Sequence, residues 1–91
     1  MPGPLDGYRV VDVTQMLSGP MATMILGDQG ADVIKVEPPK SGDLTRAFSK
    51  SGITGMFAMI NRSKRSVAIN LKTAAGVKLI KQLVSQADVF V

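Results

Sequence analysis

The 91-residue chain has no cysteine, no histidine and no tryptophan, and its aromatics are one tyrosine and three phenylalanines. Without cysteine it has no disulfide and no thiolate chemistry. Without histidine as well, the Ser-His and Cys-His nucleophile pairs are excluded within these residues and the usual zinc ligands are missing, so no metal is expected. The scarcity of aromatics leaves the core to Val, Ile, Leu, Met and Ala. No apolar run approaches the ~20 residues needed to span a bilayer. The opening Met1-Pro2-Gly3-Pro4-Leu5-Asp6 has neither a basic n-region nor an apolar h-region, so no signal peptide and no membrane partner are expected. A cytoplasmic location is the expectation, which the absence of cysteine permits without requiring it. A chain of this length supports one domain and buries roughly 60–65% of its unfolded surface.

Acidic side chains are also in deficit, seven against eleven Lys and Arg, and the imbalance is local. Residues 35–72 hold eight cations (35, 40, 46, 50, 62, 64, 65 and 72) and two acids, Glu37 and Asp43. The middle of the chain is therefore expected to face an anion, unless these charges form a solvated surface.

The pattern of apolar residues predicts alternating strands and helices. Tyr8–Val13 is nearly continuously apolar, as a strand covered on both faces should be. Ser18-Gly19-Pro20 combines an N-cap residue with a first-turn proline, so a helix is expected from here with Met21, Met24 and Ile25 on its buried side. Gly30 closes it. Ala31–Glu37 is the next strand, ended by Pro38-Pro39. Residues 40–54 read as a loop, and Gly55–Asn61 as a short helix with Phe57 and Ile60 inward. Ser66–Asn70 is a third strand, entered by the basic pair Lys64-Arg65. Thr73–Gln86 is an amphipathic helix with Ile80, Leu83, Val84 and Ala87 buried. Asp88–Val91 begins a fourth strand. The order β-α-β-loop-β-α-β predicts an α/β fold with a doubly wound, Rossmann-like parallel sheet. Because it stops inside an uncovered strand, the chain reads as the truncated N-terminal part of a larger domain.

Three segments carry candidate chemistry. The first strand-to-helix turn, Thr14–Pro20, stands where a dinucleotide-binding fold places G-x-G-x-x-G, but only Gly19 is present. That argues against NAD even though Glu37 occupies the place of a ribose-binding acid. Gly42–Arg46 is either a turn or an Arg46 site for a phosphate or a partner subunit. Ile69-Asn70-Leu71-Lys72 lies at the carboxyl end of a strand, where open α/β sheets bind ligands. Its backbone could pair with the edge of a flat base and Leu71 could pack on the face. Lys72, with Lys64 or Arg65, could neutralise a phosphate. The other reading of the same residues is a helix start, with Asn70 as cap, Leu71 in the core and Lys72 in solvent. Asp12, Asp32, Asp43 and Asp88 sit at strand and turn positions that read as structural, so no catalytic residue is named. Nucleic acid is not an expected partner, because the aromatics are few and not interleaved with the cations.

The ordered set Pro4-Leu5-Asp6-Gly7, Arg9–Asp12, Ser18-Gly19-Pro20, Gly30–Pro39, Gly42-Asp43, Arg46, Asn61, Lys64-Arg65-Ser66, Asn70-Leu71-Lys72, Gly76 and Ala87-Asp88-Val89 resembles the N-terminal portion of the CaiB/BaiF (class III) CoA-transferases. The resemblance covers nearly the whole chain. It implies that residues 1–91 are the CoA-binding part of an enzyme moving coenzyme A between carboxylic acids, with acyl-CoA and carboxylic acid as substrates. Ile69, Asn70, Leu71 and Lys72 would contact the adenosine part, while Leu17 and Ser18 would also line the cofactor. It implies a downstream Asp nucleophile and an interlocked homodimer. An α-methylacyl-CoA racemase-like activity is the alternative within the family, and a stand-alone nucleotide-binding module the alternative outside it. Two residues depart from common family choices. Pro38 replaces a frequent Arg, and Leu17 replaces a Gln found in some members, which argues against an oxalate-like acyl group.

Overall fold

Val10 and Val11 are adjacent in sequence and both fully buried, so the strand that carries them is covered on both faces. This strand, β1 (Arg9–Asp12), is central in the computed structural model, which describes residues 3–43, 46 and 55–91. It is followed by α1 (Ser18–Asp28), β2 (Asp32–Glu37), α2 (Gly55–Ile60), β3 (Lys64–Ala68), α3 (Ala74–Ser85) and β4 (Val89–Phe90). Of the expected loop 40–54, residues 44, 45 and 47–54 lie outside the described residues.

The strands form one parallel sheet in the order β3-β2-β1-β4, the doubly wound arrangement expected from the element order. Val10 and Val33 are register partners, as are Val11 and Ile34. One face packs Val10, Ala31 and Val33 against Leu5 and Leu26 of α1. The other packs Val11, Val36 and Ile69 against Ile80, Leu83, Val84 and Ala87 on α3 and just beyond its end, the stripe read from the helical period. Each fully buried Val contributes about 1.5–2 kcal/mol of transfer free energy.

The α1 face turns polar toward the strand tips, and this changes two expectations. Asp12, Lys35, Glu37 and Lys64 all project there, and Asp12, Lys35 and Glu37 are buried outright. A helix covering such a surface cannot present only apolar side chains. Accordingly α1 buries Pro20, Thr23 and Met24, while Met21 and Ile25 are 40% and 47% exposed. Thr23 Oγ1 donates to Asp12 Oδ2 at 2.7 Å. Ser18 does not cap α1. Leu17 takes the N-cap position without a side-chain hydrogen bond, and Ser18 is the first helical residue.

Strand β3 runs from Lys64 to Ala68 rather than from Ser66 to Asn70, because the basic pair itself forms rungs with Val33 and Ile34 of β2. The cap of α3 is Thr73, whose Oγ1 accepts from the Gly76 amide at 3.0 Å, and not Asn70. Thr73→Ala is expected to lower stability by about 1 kcal/mol, measured as a lower urea midpoint at unchanged m-value.

Candidate functional site

Pro39 determines how the sheet ends. Ile69 N donates to Glu37 O at 3.0 Å. The next rung of a parallel ladder would run from residue 39 to the Ile69 carbonyl, and proline has no N–H. Among the described residues the Ile69 carbonyl accepts no hydrogen bond. The Ile69 side chain is buried in the core, so only its backbone faces the strand tip.

The next three residues form a tight turn. Asn70 Oδ1 accepts from Lys72 N at 3.0 Å, and Asn70 O accepts from Thr73 N at 3.2 Å and Thr73 Oγ1 at 2.9 Å. The turn lies directly on the first turn of α3: a Cβ on Gly76 would stand 1.8 Å from Asn70 O. Leu71 is left 42% exposed, and Asn70 and Lys72 are exposed beside it. The reading of Leu71 as core and Asn70 as cap is thereby excluded.

Val13, Gln15, Val36, Pro38, Ile69, Leu71 and Lys72 line a cleft of about 140 Å³ at the carboxyl ends of β1, β2 and β3. The cleft is displaced toward β2 from the point between β1 and β4 where the strand order reverses. It offers a free backbone acceptor, an apolar surface and an unpaired ammonium. These suit the exocyclic amine, the ring face and a phosphate of a nucleotide. Gln15 belongs to the Thr14–Pro20 turn read from the sequence as a candidate, whereas Val13 and Pro39 were read only as strand and strand end. For Pro39 the signal was present, since its missing N–H at a strand end predicts an unused carbonyl on the neighbouring strand.

The other cations expected at the site are engaged elsewhere. Lys64 Nζ is buried and donates to Asp12 Oδ2 at 2.9 Å, Pro20 O at 3.0 Å and Asn61 Oδ1 at 2.8 Å. Arg65 is paired with Asp32 at 2.7 Å and Arg62 with Asp28 at 2.8 Å. Arg46 forks onto Glu37 at 2.7 and 3.1 Å and stacks over the Phe57 ring. Lys35 Nζ is buried 2.8 Å from Asp43 Oδ2. Neither Lys64, Arg65 nor Arg46 therefore supplies a free charge for a phosphate. Glu37 is not a ribose ligand either, being buried with Arg46, Ser66 Oγ and the Asp43 amide donating to it. Burial works to raise its pKa, but these donors, Arg46 first, hold it below the usual carboxylate value. The four aspartates read as structural are all engaged, Asp88 through the Arg9 amide at 2.9 Å.

Leu17 and Ser18 are exposed at the start of α1 and do not line the cleft. The preceding Met16 has a φ of 73°. A Cβ on Gly19 would stand 2.5 Å from Thr14 Cβ, so the first turn of α1 packs tightly on the end of β1. Leu17 and Ser18 thus share the carboxyl edge of the sheet with Ile69–Lys72 without joining them in one cleft.

Comparison with known proteins gives this edge a context. Residues 5–91 match the family model described as CoA-transferase family III. Succinyl-CoA:glutarate CoA-transferase of Mus musculus is 47% identical over 91 residues, covering 97% of this chain and 21% of that protein. Formyl-CoA:oxalate CoA-transferase of Escherichia coli O6:H1 is 43% identical over 94 residues, covering 100% and 23%. The crystal structure of a CAIB/BAIF family protein from Brucella suis matches with a TM-score of 0.90 at 40% identity, covering 99% of this chain and 25% of that one. The chain spans about a fifth to a quarter of the length of these relatives. The match runs through every strand of the sheet and through the turn that rims the cleft, and the chain belongs to CoA-transferase family III.

Proposed function

We propose that residues 1–91 are the N-terminal CoA-binding part of an enzyme that transfers coenzyme A between carboxylic acids, taking an acyl-CoA and a carboxylic acid as substrates. The observation that carries this reading is the cleft at the strand tips, open beside the free Ile69 carbonyl, Leu71 and Lys72. Its relatives are named for transfer of CoA between acids, which supports the same ligand here. The adenine amine would pair with the Ile69 carbonyl, Leu71 would pack on the ring and Lys72 would meet a phosphate. Leu17 and Ser18 lie on the same edge and would line the cofactor farther along. The nucleophilic carboxylate belongs to other residues, since Asp12, Asp32, Asp43 and Asp88 are held by structural partners. A cytoplasmic interlocked homodimer completes the proposal on the strength of the family resemblance.

Calorimetric titration of the full natural chain with CoA tests the reading. Lys72→Ala is expected to weaken binding about tenfold, the worth of one charge-assisted contact. Unchanged affinity would remove Lys72 and its cleft from the site. A stand-alone nucleic-acid module is disfavoured because Arg62, Lys64 and Arg65 are already paired with carboxylates.

A further inference from the structure

A phosphate-bearing ligand needs cations that are not already neutralised. Among the described residues between 35 and 72, Lys35, Arg46, Arg62, Lys64 and Arg65 each meet a carboxylate. Two cations do not, Lys72 and Lys40. They stand on opposite sides of one wall. Pro38 and Pro39 line the cleft that carries Lys72, and they also line a second hollow of about 370 Å³ whose other walls include Lys40, Ser41, Gly42 and Arg46.

The turn that bears Lys40 has further unused donors. Gly42 N donates to Pro38 O at 3.1 Å, which folds residues 38–42 back on themselves, with Lys40 at φ 48°. Among the described residues, the amides of Lys40 and Ser41 find no acceptor. Successive free amides around a left-handed residue form a concavity that favours anions. The carboxylate that lines the same hollow, Glu37, is neutralised by Arg46 at 2.7 Å, so it does not cancel the charge of Lys40.

We propose that the Pro39–Gly42 turn, through Lys40 and the amides of Lys40 and Ser41, binds the phosphate monoester on the ribose of coenzyme A and lets the protein distinguish CoA from dephospho-CoA. The assignment rests on the CoA reading above. A base in the cleft puts its ribose at the Pro38–Pro39 wall, with one phosphate-bearing position toward Lys40 and the other toward Lys72.

The test compares CoA with dephospho-CoA, which lacks only that monoester, by calorimetric titration of the full natural chain. The wild type is expected to prefer CoA by about tenfold. Lys40→Asn, whose side chain tolerates the left-handed backbone, is expected to bind CoA about tenfold more weakly and dephospho-CoA unchanged. Lys40→Arg should restore the preference. Lys72→Ala should weaken both compounds alike. Equal wild-type affinity for the two, or a Lys40→Asn effect that is absent or the same on both, overturns the assignment while leaving the CoA reading intact. A wild type that binds neither overturns both.

Discussion

Lys64→Met is expected to lower the unfolding free energy by about 3–5 kcal/mol, the cost of leaving a buried charge without its partner. Asp12 Oδ2 would lose an ammonium 2.9 Å away, and Pro20 O and Asn61 Oδ1 would lose the same donor. The two partners' pKa directions explain why the pair itself is no large source of stability. Burial pushes the Asp12 carboxyl up, but Thr14, Thr23 and Lys64 outweigh it, so the carboxyl titrates below its ordinary value. Burial pulls the Lys64 ammonium down, and the attraction of Asp12 only partly restores it. Asp12 therefore contributes stability that is complete above its unfolded pKa and lost as pH falls through the lower folded value. Lys64 works the other way: its charged form is penalised in the fold, and this cost is relieved as pH rises through its lowered pKa toward the unfolded value. In Lys64→Met the Asp12 carboxyl keeps its desolvation and loses a charge partner, so the acid limb of the stability profile should move to higher pH. Replacing both groups, Asp12→Val with Lys64→Met, should recover only part of the loss, because the Thr14 amide and hydroxyl then lose their acceptor. Urea unfolding across the acid range checks this. A loss under about 1 kcal/mol with an unmoved acid limb would mean that the pair is not shielded from water.

The same polar layer marks the limit of what the sequence revealed. Strand and helix positions were legible because Val, Ile and Leu recur with the periods of the elements they build, and the α3 stripe was read residue by residue. The α1 face was misread for a physical reason: Met21, Met24 and Ile25 show helical spacing, but the surface beneath is Asp12 and Lys64, which Thr23 suits better than Met21 or Ile25. Lys64 and Arg65 were legible as a positive pair, but their partners are Asp12 and Asp32, which lie 52 and 33 positions away in the chain. Local charge counting cannot see pairing at such distances, so it assigned to a ligand charges that the fold uses internally. Leu71 and Lys72 could be picked out because strand ends are where open sheets bind. The support beneath their turn is the absence of a side chain at Gly76, which no pattern of charge or hydropathy indicates.

That absence gives the second large effect a sign that helix propensity alone would reverse. Alanine is about 1 kcal/mol better than glycine inside a helix, so Gly76→Ala in α3 would stabilise the protein if there were room. There is none: the new Cβ would stand 1.8 Å from the Asn70 carbonyl oxygen and 3.1 Å from Thr73 Oγ1. The obstacle is backbone, which cannot swing aside as a flexible side chain would. Either the Asn70–Thr73 turn lifts from α3 or the helix start unwinds, and both break the capping bond from Gly76 N to Thr73 Oγ1. The expected net result is a loss of about 3 kcal/mol, the upper end for overpacking. Lifting the turn also carries Leu71 and Lys72 away from the cleft, so CoA affinity should fall at least as far as in Lys72→Ala. The two readouts separate the causes. A folded Gly76→Ala protein with weakened CoA binding shows that the turn moved, since residue 76 does not itself line the cleft. A stabilised Gly76→Ala protein that binds CoA normally would show that the turn does not rest on α3, and the shape of the site would then need another source.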